Sequence, residues 1–422
     1  MKVKLAYGKT GLDIAFPDEL NVHVVEPKYV KALPDEAKAV RDALRQPIAS
    51  KPLRELVRSS DRIGIVVNDI TRPTPYHIIL PVLLNELGSI ADDQRVLFNA
   101  TGTHRANTDA ELRAILGDEI VGKYRIIQND AHDRDSHTLV GTTTSGNDIW
   151  IHTEYVECDL RILTGFIEPH FFAGFSGGGK ACMPGLALAE TVLRNHSAKN
   201  IDNAMASWGI TNGNPIWQEI QEAAQFTSPT FLLNVTLNRD WQVTGVFAGD
   251  LQKAHERGCE FARENAMAPV KRAYDIVITS NSGYPLDLNL YQSVKGMSAA
   301  AQIVKKGGSI IVAADCWDGI PAHGEYGRLL FEAESPQSLL QTVRTENCAR
   351  QDAWQAQIQA LVSLKADVYF YSRNLSEDEI ERALLKPCHS IEATVNELLS
   401  RYGRKASICV LPEGPHLVMR IA

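Results

Sequence analysis

The stretch R-I-G-I-V-V-N-D-I-T-R-P-T-P-Y-H-I-I-L-P-V-L-L-N-E-L, residues 62–87, decides the fold. Arg62–Val67 is a short Val/Ile-rich run of the kind found in a strand buried on both faces. Pro73 and Pro75 stiffen the loop that follows, and from Ile78 to Leu87 the apolar period is that of a helix. The same strand, loop and helix order recurs along the chain. Further strands are expected at Arg95–Ala100, Arg125–Gln128, Asp148–Thr153, Leu160–Thr164, Thr230–Leu237, Asp275–Thr279, Ser309–Ala313, Asp367–Tyr371 and Ser407–Leu411. Helices are expected between them, among them Thr108–Leu116, Ile216–Gln225, Leu251–Ala266, Tyr291–Val304 and Ala353–Leu364. This alternation predicts an α/β protein of two domains, each a mostly parallel sheet flanked by helices. A boundary is expected near residue 270, where Pro269 stops a long helix and K-R-A-Y-D-I-V-I-T-S-N-S-G-Y-P opens a new strand. That gives an N-terminal domain 1–270 and a C-terminal domain 271–404. The ending A-S-I-C-V-L-P-E-G-P-H-L-V-M-R-I-A reads as a hairpin around Pro412–Pro415, and residues 405–422 are expected to return to the first domain.

Composition narrows the function classes. The 422 residues carry 43 Lys and Arg against 51 Asp and Glu, a net charge of -8, which disfavours a nucleic-acid partner. The opening M-K-V-K-L-A-Y-G-K-T-G-L-D-I-A-F alternates as a strand does and lacks a signal-peptide core, and no run approaches a membrane span. Seven Cys, scattered and without a C-x-x-C pair, argue against a disulfide framework or a Cys-based zinc site, so most are expected to be buried small apolar residues. The expected setting is the cytoplasm.

Three polar constellations fall where an expected strand gives way to a loop, the edge at which open α/β sheets bind ligands. In V-N-D-I-T-R-P-T-P, Arg72 offers a fork of donors suited to a carboxylate or phosphate, and Asp69 can orient it. In N-A-T-G-T-H-R, His104 sits on a turn that can present an imidazole as acid, base or ligand. The third, T-G-F-I-E-P-H-F-F-A-G-F-S-G-G-G-K-A-C-M-P-G (164–185), holds six Gly and two Pro in 22 residues and cannot be regular structure. Gly174–Lys180 matches the start of a phosphate-binding loop, but Ala181 stands where that motif needs Ser or Thr, and Pro184 interrupts the helix that should follow. What remains is Lys180 exposed by its glycines near His170, with backbone N–H groups free to hold an anion. Sixteen residues on, R-N-H-S places His196 on an expected helix; no H-x-x-x-H or H-x-H occurs, so any metal here would have few protein ligands. In the C-terminal domain, Y-P-L-D-L-N-L-Y-Q-S-V-K-G-M puts Tyr291 and Lys295 on one helix face, with Gln292 beside them. Trp354, in D-A-W-Q-A-Q-I, reads by itself as core.

Taken together, D-x-T-R-P, G-T-H-R, E-P-H-x-x-A-G-F-S-G-G-x-K-x-x-x-P-G, N-H-S and Y-Q-x-V-K-G-M closely resemble the nickel-dependent lactate racemase family, in matching order over residues 62 to 360. The resemblance implies a racemase or epimerase of a 2-hydroxy acid, with the active site in the cleft between the two domains. It implies reversible hydride transfer to a nickel-pincer nucleotide (nickel pyridinium-3,5-bisthiocarboxylic acid mononucleotide) through a 2-keto acid. By resemblance Lys180 tethers that cofactor, His196 completes the nickel's ligands, Trp354 lines the site, and Gly177 and Gly178 belong to the cofactor loop. His104 and His170 fall on the acid/base positions, while Arg72, Tyr291, Gln292 and Lys295, with Asp69 beside them, fall on those that hold the substrate. Tyr76 and Phe171 receive no role. Implied partners are a small 2-hydroxy acid and the cofactor-assembly proteins; the oligomeric state is left open, a homodimer being one arrangement allowed. Two other readings stand beside this one: a zinc-dependent hydrolase using His104, His170 and His196, and a nucleotide- or anion-binding module without catalysis.

Overall fold

The computed structural model describes every residue except Ser89, His323 and Cys348. Two six-stranded sheets carry the fold. The first runs in the order Val243–Gly249, Phe231–Leu237, Leu160–Phe166, Ile63–Asn68, Arg95–Ala100, Arg125–Gln128. All its neighbours are parallel except Val243–Gly249, which returns antiparallel against Phe231–Leu237. The second, wholly parallel, runs Lys386–Pro387, Asp367–Tyr371, Val304–Ala313, Tyr274–Ser280, Ile408–Leu411, Val22–Val24. Ile63–Val67 is buried throughout, as its unbroken apolar run requires of a strand covered by helices on both faces. Expected strands and helices reappear within a few residues of their predicted bounds; Leu251–Ala266 is a single helix, and Thr108 caps Asp109–Leu116 through a hydrogen bond from the Glu111 N–H.

The two ends of the chain pack differently from expectation. The opening segment is a hairpin, Lys2–Leu5 against Leu12–Ala15. Its apolar face (Val3, Leu5, Ile14, Phe16) joins a core with Ile276, Ile278, Ile311, Val395 and Leu398, so the first residues lie with the second sheet. The closing segment, expected as a hairpin returning to the first domain, is not a hairpin. Ile408–Leu411, buried at every position, is inserted between Tyr274–Ser280 and Val22–Val24, because a strand apolar on both faces is satisfied only inside a covered sheet. Val418–Ile421 then pairs in parallel with Met267–Val270, so the last strand does return to a segment within residues 1–270. Six cysteines are buried and unpaired, as small core residues; Cys348 lies outside the described residues. Among the described residues no helix is long and apolar enough to cross a membrane.

Candidate active site

Ile63–Asn68, Arg95–Ala100 and Leu160–Phe166 are adjacent and parallel, so their carboxyl ends lie side by side. That adjacency brings the D-x-T-R-P loop, the G-T-H-R turn and the glycine-rich loop together although they are far apart in the chain. A cavity of about 630 Å³ opens above them. Arg72, His104, His170, Lys180 and His196 line it from the first half, and Tyr291, Gln292, Lys295 and Trp354 from the second. A neighbouring cavity of about 560 Å³ continues over Asp69, Gly177 and Lys180 toward the sheet edge. Gly178 lines neither; its N–H donates to Asn234 Oδ1 at 2.7 Å and thereby anchors the loop.

The two candidate acid/base histidines are held differently. His104 Nδ1 lies 2.7 Å from Asp69 Oδ2, and Thr71 Oγ1 donates to Asp69 Oδ1 at 2.6 Å. Burial opposes ionisation of Asp69, but the charge of His104, its hydrogen bond and the charge of Arg72 outweigh it and hold the carboxyl below its ordinary range. An ionised Asp69 accepts from Nδ1–H, which leaves the lone pair of His104 on Nε2. At His170 the Ala173 N–H donates to Nδ1 at 3.2 Å, so the neutral ring carries its proton on Nε2. Burial, then the charges of Lys180, Lys295 and Arg72, press the His170 pKa well below 6.5.

Lys180 points its Nζ over the Phe172 ring, 5.9 Å from the centroid. Burial and the neighbouring Arg72 and Lys295 lower its pKa well below 10.5, which favours the free, nucleophilic amine. The loop that carries it is possible only with glycine. Gly177 and Gly178 have φ of +75° and +57°, and a Cβ would sit 2.5 Å from Asn234 Oδ1 at the first and 2.3 Å from His255 Nδ1 at the second. His196 ends helix Ala189–Asn195 and packs edge-on against Phe172 and Trp354, with ring centroids 5.0 and 4.9 Å away. Its ring is buried, and burial, then the charge of Lys180, push its pKa down to about 3 against a weak contact to the Val192 backbone. A neutral imidazole is a competent metal donor. A nucleophilic amine, such an imidazole and a glycine loop open to the second cavity therefore fit a lysine-tethered metal nucleotide. Among the described residues no three His, Cys, Asp or Glu side chains meet as a metal-binding group.

On the opposite wall, helix Leu290–Ala301 starts at Asn289, whose side chain caps the Gln292 N–H. Tyr291 and Lys295, one turn apart, face the cavity together. Burial and Arg72 bring Lys295 down to about 8, a cation kept in reserve for an anionic partner. Sequence reasoning left Phe171 unassigned; it lines the cavity and packs on His170 at 4.8 Å. Tyr76 lies beneath, its hydroxyl bonded by the Asn68 N–H and Thr164 Oγ1, and shapes the strand ends rather than the cavity. Thr103, Phe172, Val192 and Gln355 also line the cavity and were missed, because nothing in their types marks them apart from core or surface.

Residues 7–209 match the family model described as the lactate racemase N-terminal domain, and residues 270–419 that of the lactate racemase C-terminal domain. The chain is 36% identical over 423 residues to a lactate racemase of Thermoanaerobacterium thermosaccharolyticum, covering 99% of each chain. It is 38% identical over 387 residues to a lactate racemase of Lactiplantibacillus plantarum, covering 91% of each. The solved structure of the lactate racemase apoprotein from Thermoanaerobacterium thermosaccharolyticum superposes over all of both chains with a TM-score of 0.93 at 34% identity. A Thermotoga maritima protein shares the fold at a TM-score of 0.69 and 19% identity, covering 91% of this chain and 98% of its own. With both domain models in order and similarity running end to end, the chain belongs to the lactate racemase family.

Proposed function

We propose that this protein is a racemase or epimerase of a small 2-hydroxy acid, with lactate as the first substrate to test, working with a nickel-pincer nucleotide tethered to Lys180. The observation that carries the reading is a cavity that gathers three histidines, an arginine, two lysines, a phenol and two carboxamides from both halves of the chain. The functional division falls near residue 270: the first part holds the cofactor, the second closes over the acid, and the cleft between them is the active site. His196 would be the protein ligand to nickel, and Trp354 the wall beside it. When bound, the cofactor supplies the hydride acceptor that the weakly acidic C2–H of a 2-hydroxy acid demands.

The remaining work falls to the side chains. Arg72 and Lys295 clamp the carboxylate, and Tyr291 and Gln292 fix its orientation, holding the acid through a planar 2-keto stage. His104, with its Nε2 lone pair, takes the hydroxyl proton of one enantiomer, and His170 serves the oxygen in the other orientation. Inversion moves the oxygen, so two groups are needed rather than one. An acid entering the site offsets part of the positive charge around His170, whose Nε2 already carries a proton; a second proton requires Nδ1 to give up the Ala173 N–H. The partners required are the cofactor-assembly proteins, and the setting is the cytoplasm.

Coexpression with the cofactor-assembly proteins tests the reading. Nickel content, the mass of the peptide carrying Lys180, and interconversion of the lactate enantiomers are measured together. Lys180→Ala should abolish loading, whereas His104→Ala and His170→Ala should load and fail to racemise. An unmodified Lys180 without nickel, under conditions that load a lactate racemase, would overturn it. Unchanged racemisation in both histidine variants would overturn their acid/base roles, whereas ligand binding indifferent to both substitutions, without racemisation in the loaded parent, would favour a binding module instead.

A further inference from the structure

The turn that carries His104 is held from both halves of the molecule. From the first half, the Gly102 N–H donates to Gly185 O at 3.0 Å, and Asp69 holds the His104 ring. From the second half, Gln351 Nε2 donates to Thr103 O at 2.8 Å, on the residue before His104. The other end of the same carboxamide is taken by the first half as well: His132 Nε2 lies 3.2 Å from Gln351 Oε1. A carbonyl oxygen accepts only from a donor and a backbone carbonyl only accepts, so the two partners fix which way the amide points. His132 is thereby set as an Nε2–H donor.

Gln351 is also rigidly joined to the rest of the site. The Glu325 N–H donates to its backbone carbonyl oxygen, and Asp352, next in sequence, sits at φ +69° where helix Ala353–Lys365 begins. In the first turn of that helix Trp354 packs on His196 at 4.9 Å, and Gln355 Nε2 donates to Tyr291 O at 2.5 Å. Arg350, just before, is clamped by Glu332 at 3.1 Å and Glu346 at 2.8 Å. A single short segment thus touches the His104 turn, the His196 ring and the Tyr291 backbone.

We propose that Gln351 is a positioning residue that ties the His104 turn to the substrate-binding helix across the cleft and so sets the distance between His104 and a bound acid. This rests on the racemase reading given above. Its role is mechanical: it touches neither acid nor cofactor, and it acts only when the two halves are apposed.

The test compares cofactor-loaded parent, Gln351→Ala, His132→Ala and the double variant, with hydrogen exchange of the peptide spanning residues 100–107 in each, loaded and apo. Gln351→Ala should load nickel as the parent does, lose about tenfold or more in kcat with KM within about threefold, and exchange faster at Thr103 and His104. His132→Ala should show a smaller loss of the same kind, and the double variant should match Gln351→Ala, since both changes break one link. Losses that multiply in the double variant, or parental exchange in Gln351→Ala, would overturn the proposal. If the loaded parent racemises no 2-hydroxy acid, the racemase reading fails by itself, and the exchange comparison still decides whether Gln351 holds the turn.

Discussion

His104 Nδ1 and Asp69 Oδ2 are 2.7 Å apart, and this pair selects the tautomer of His104. The carboxylate is 4% exposed and also accepts from Thr71 Oγ1, so it cannot swing away to meet solvent. It holds the imidazole with Nδ1–H toward itself and Nε2 free. Replacing Asp69 by Asn presents an amide that can turn its N–H toward Nδ1 and favour the opposite tautomer. Loaded Asp69→Asn should keep its nickel and lose on the order of 10²-fold in kcat, read from enantiomer interconversion by circular dichroism.

Lys180 should betray its lowered pKa chemically. With burial, Arg72 and Lys295 all disfavouring the ammonium form, the apo protein at pH 7 carries more free amine there than at exposed lysines. Limiting acetic anhydride at that pH should acetylate Lys180 among the first lysines, as read by peptide mass. Lys295→Met removes one of the cations responsible and should slow the reaction. Labelling of Lys180 no faster than at exposed lysines would contradict the electrostatic reading.

The glycine loop predicts a steric outcome. Gly178→Ala puts a Cβ 2.3 Å from the His255 ring at a φ of +57°. The loop must shift or His255 must leave its hydrogen bond to Ser176 O, at a cost of about 1–3 kcal/mol. Thermal melting should fall by several degrees, and loading of Lys180 should drop with it. Gly88→Ala, also at positive φ but with nothing within 4 Å of its Cβ, controls for backbone strain alone.

Stability should depend on pH through His255. Burial pushes its pKa from 6.5 down to about 4. Between those values the unfolded chain binds a proton there that the folded chain does not. The contribution is therefore full above about pH 6.5 and lost as pH falls toward 4. His255→Gln should flatten the acid side of the stability curve by about 1.4 kcal/mol per pH unit within that window, measured by denaturant unfolding.

Lys295→Met should act on the acid rather than on the cofactor. Loading should equal that of the parent, while KM rises by about tenfold or more if Lys295 is one of the two cations that hold the carboxylate, as proposed. Arg72→Lys should be milder, keeping the charge and losing the fork.

Much of this protein is legible from its sequence because the signals are local. The run Ile63–Val67, the prolines at 73 and 75 and the helix after them determine a strand, a loop and a helix without reference to anything distant. The glycine-rich loop announces itself the same way, since positive φ at Gly177 and Gly178 is a property of those residues. The ends of the chain were not legible. Alternation in Lys2–Leu5 says that one face is buried, not that Ile276 and Val395 lie across from it, and the hydrophobic effect has no direction that would say so. Nor could periodicity tell that Ile408–Leu411 would be a central strand and Val418–Ile421 would pair elsewhere.

By itself, then, the sequence determined which kinds of residue stand at each strand end, and by resemblance which family they belong to. The tertiary structure alone decided the states those residues adopt. It paired His104 with Asp69, 35 residues away, and brought Gln351 to Thr103 across 248. It buried His170, Lys180 and Lys295 around Arg72, so that desolvation and neighbouring positive charge lower all three pKa values. The reason is physical: tautomer and charge depend on a sum over neighbours in space, and a single sequence records neighbours only along the chain.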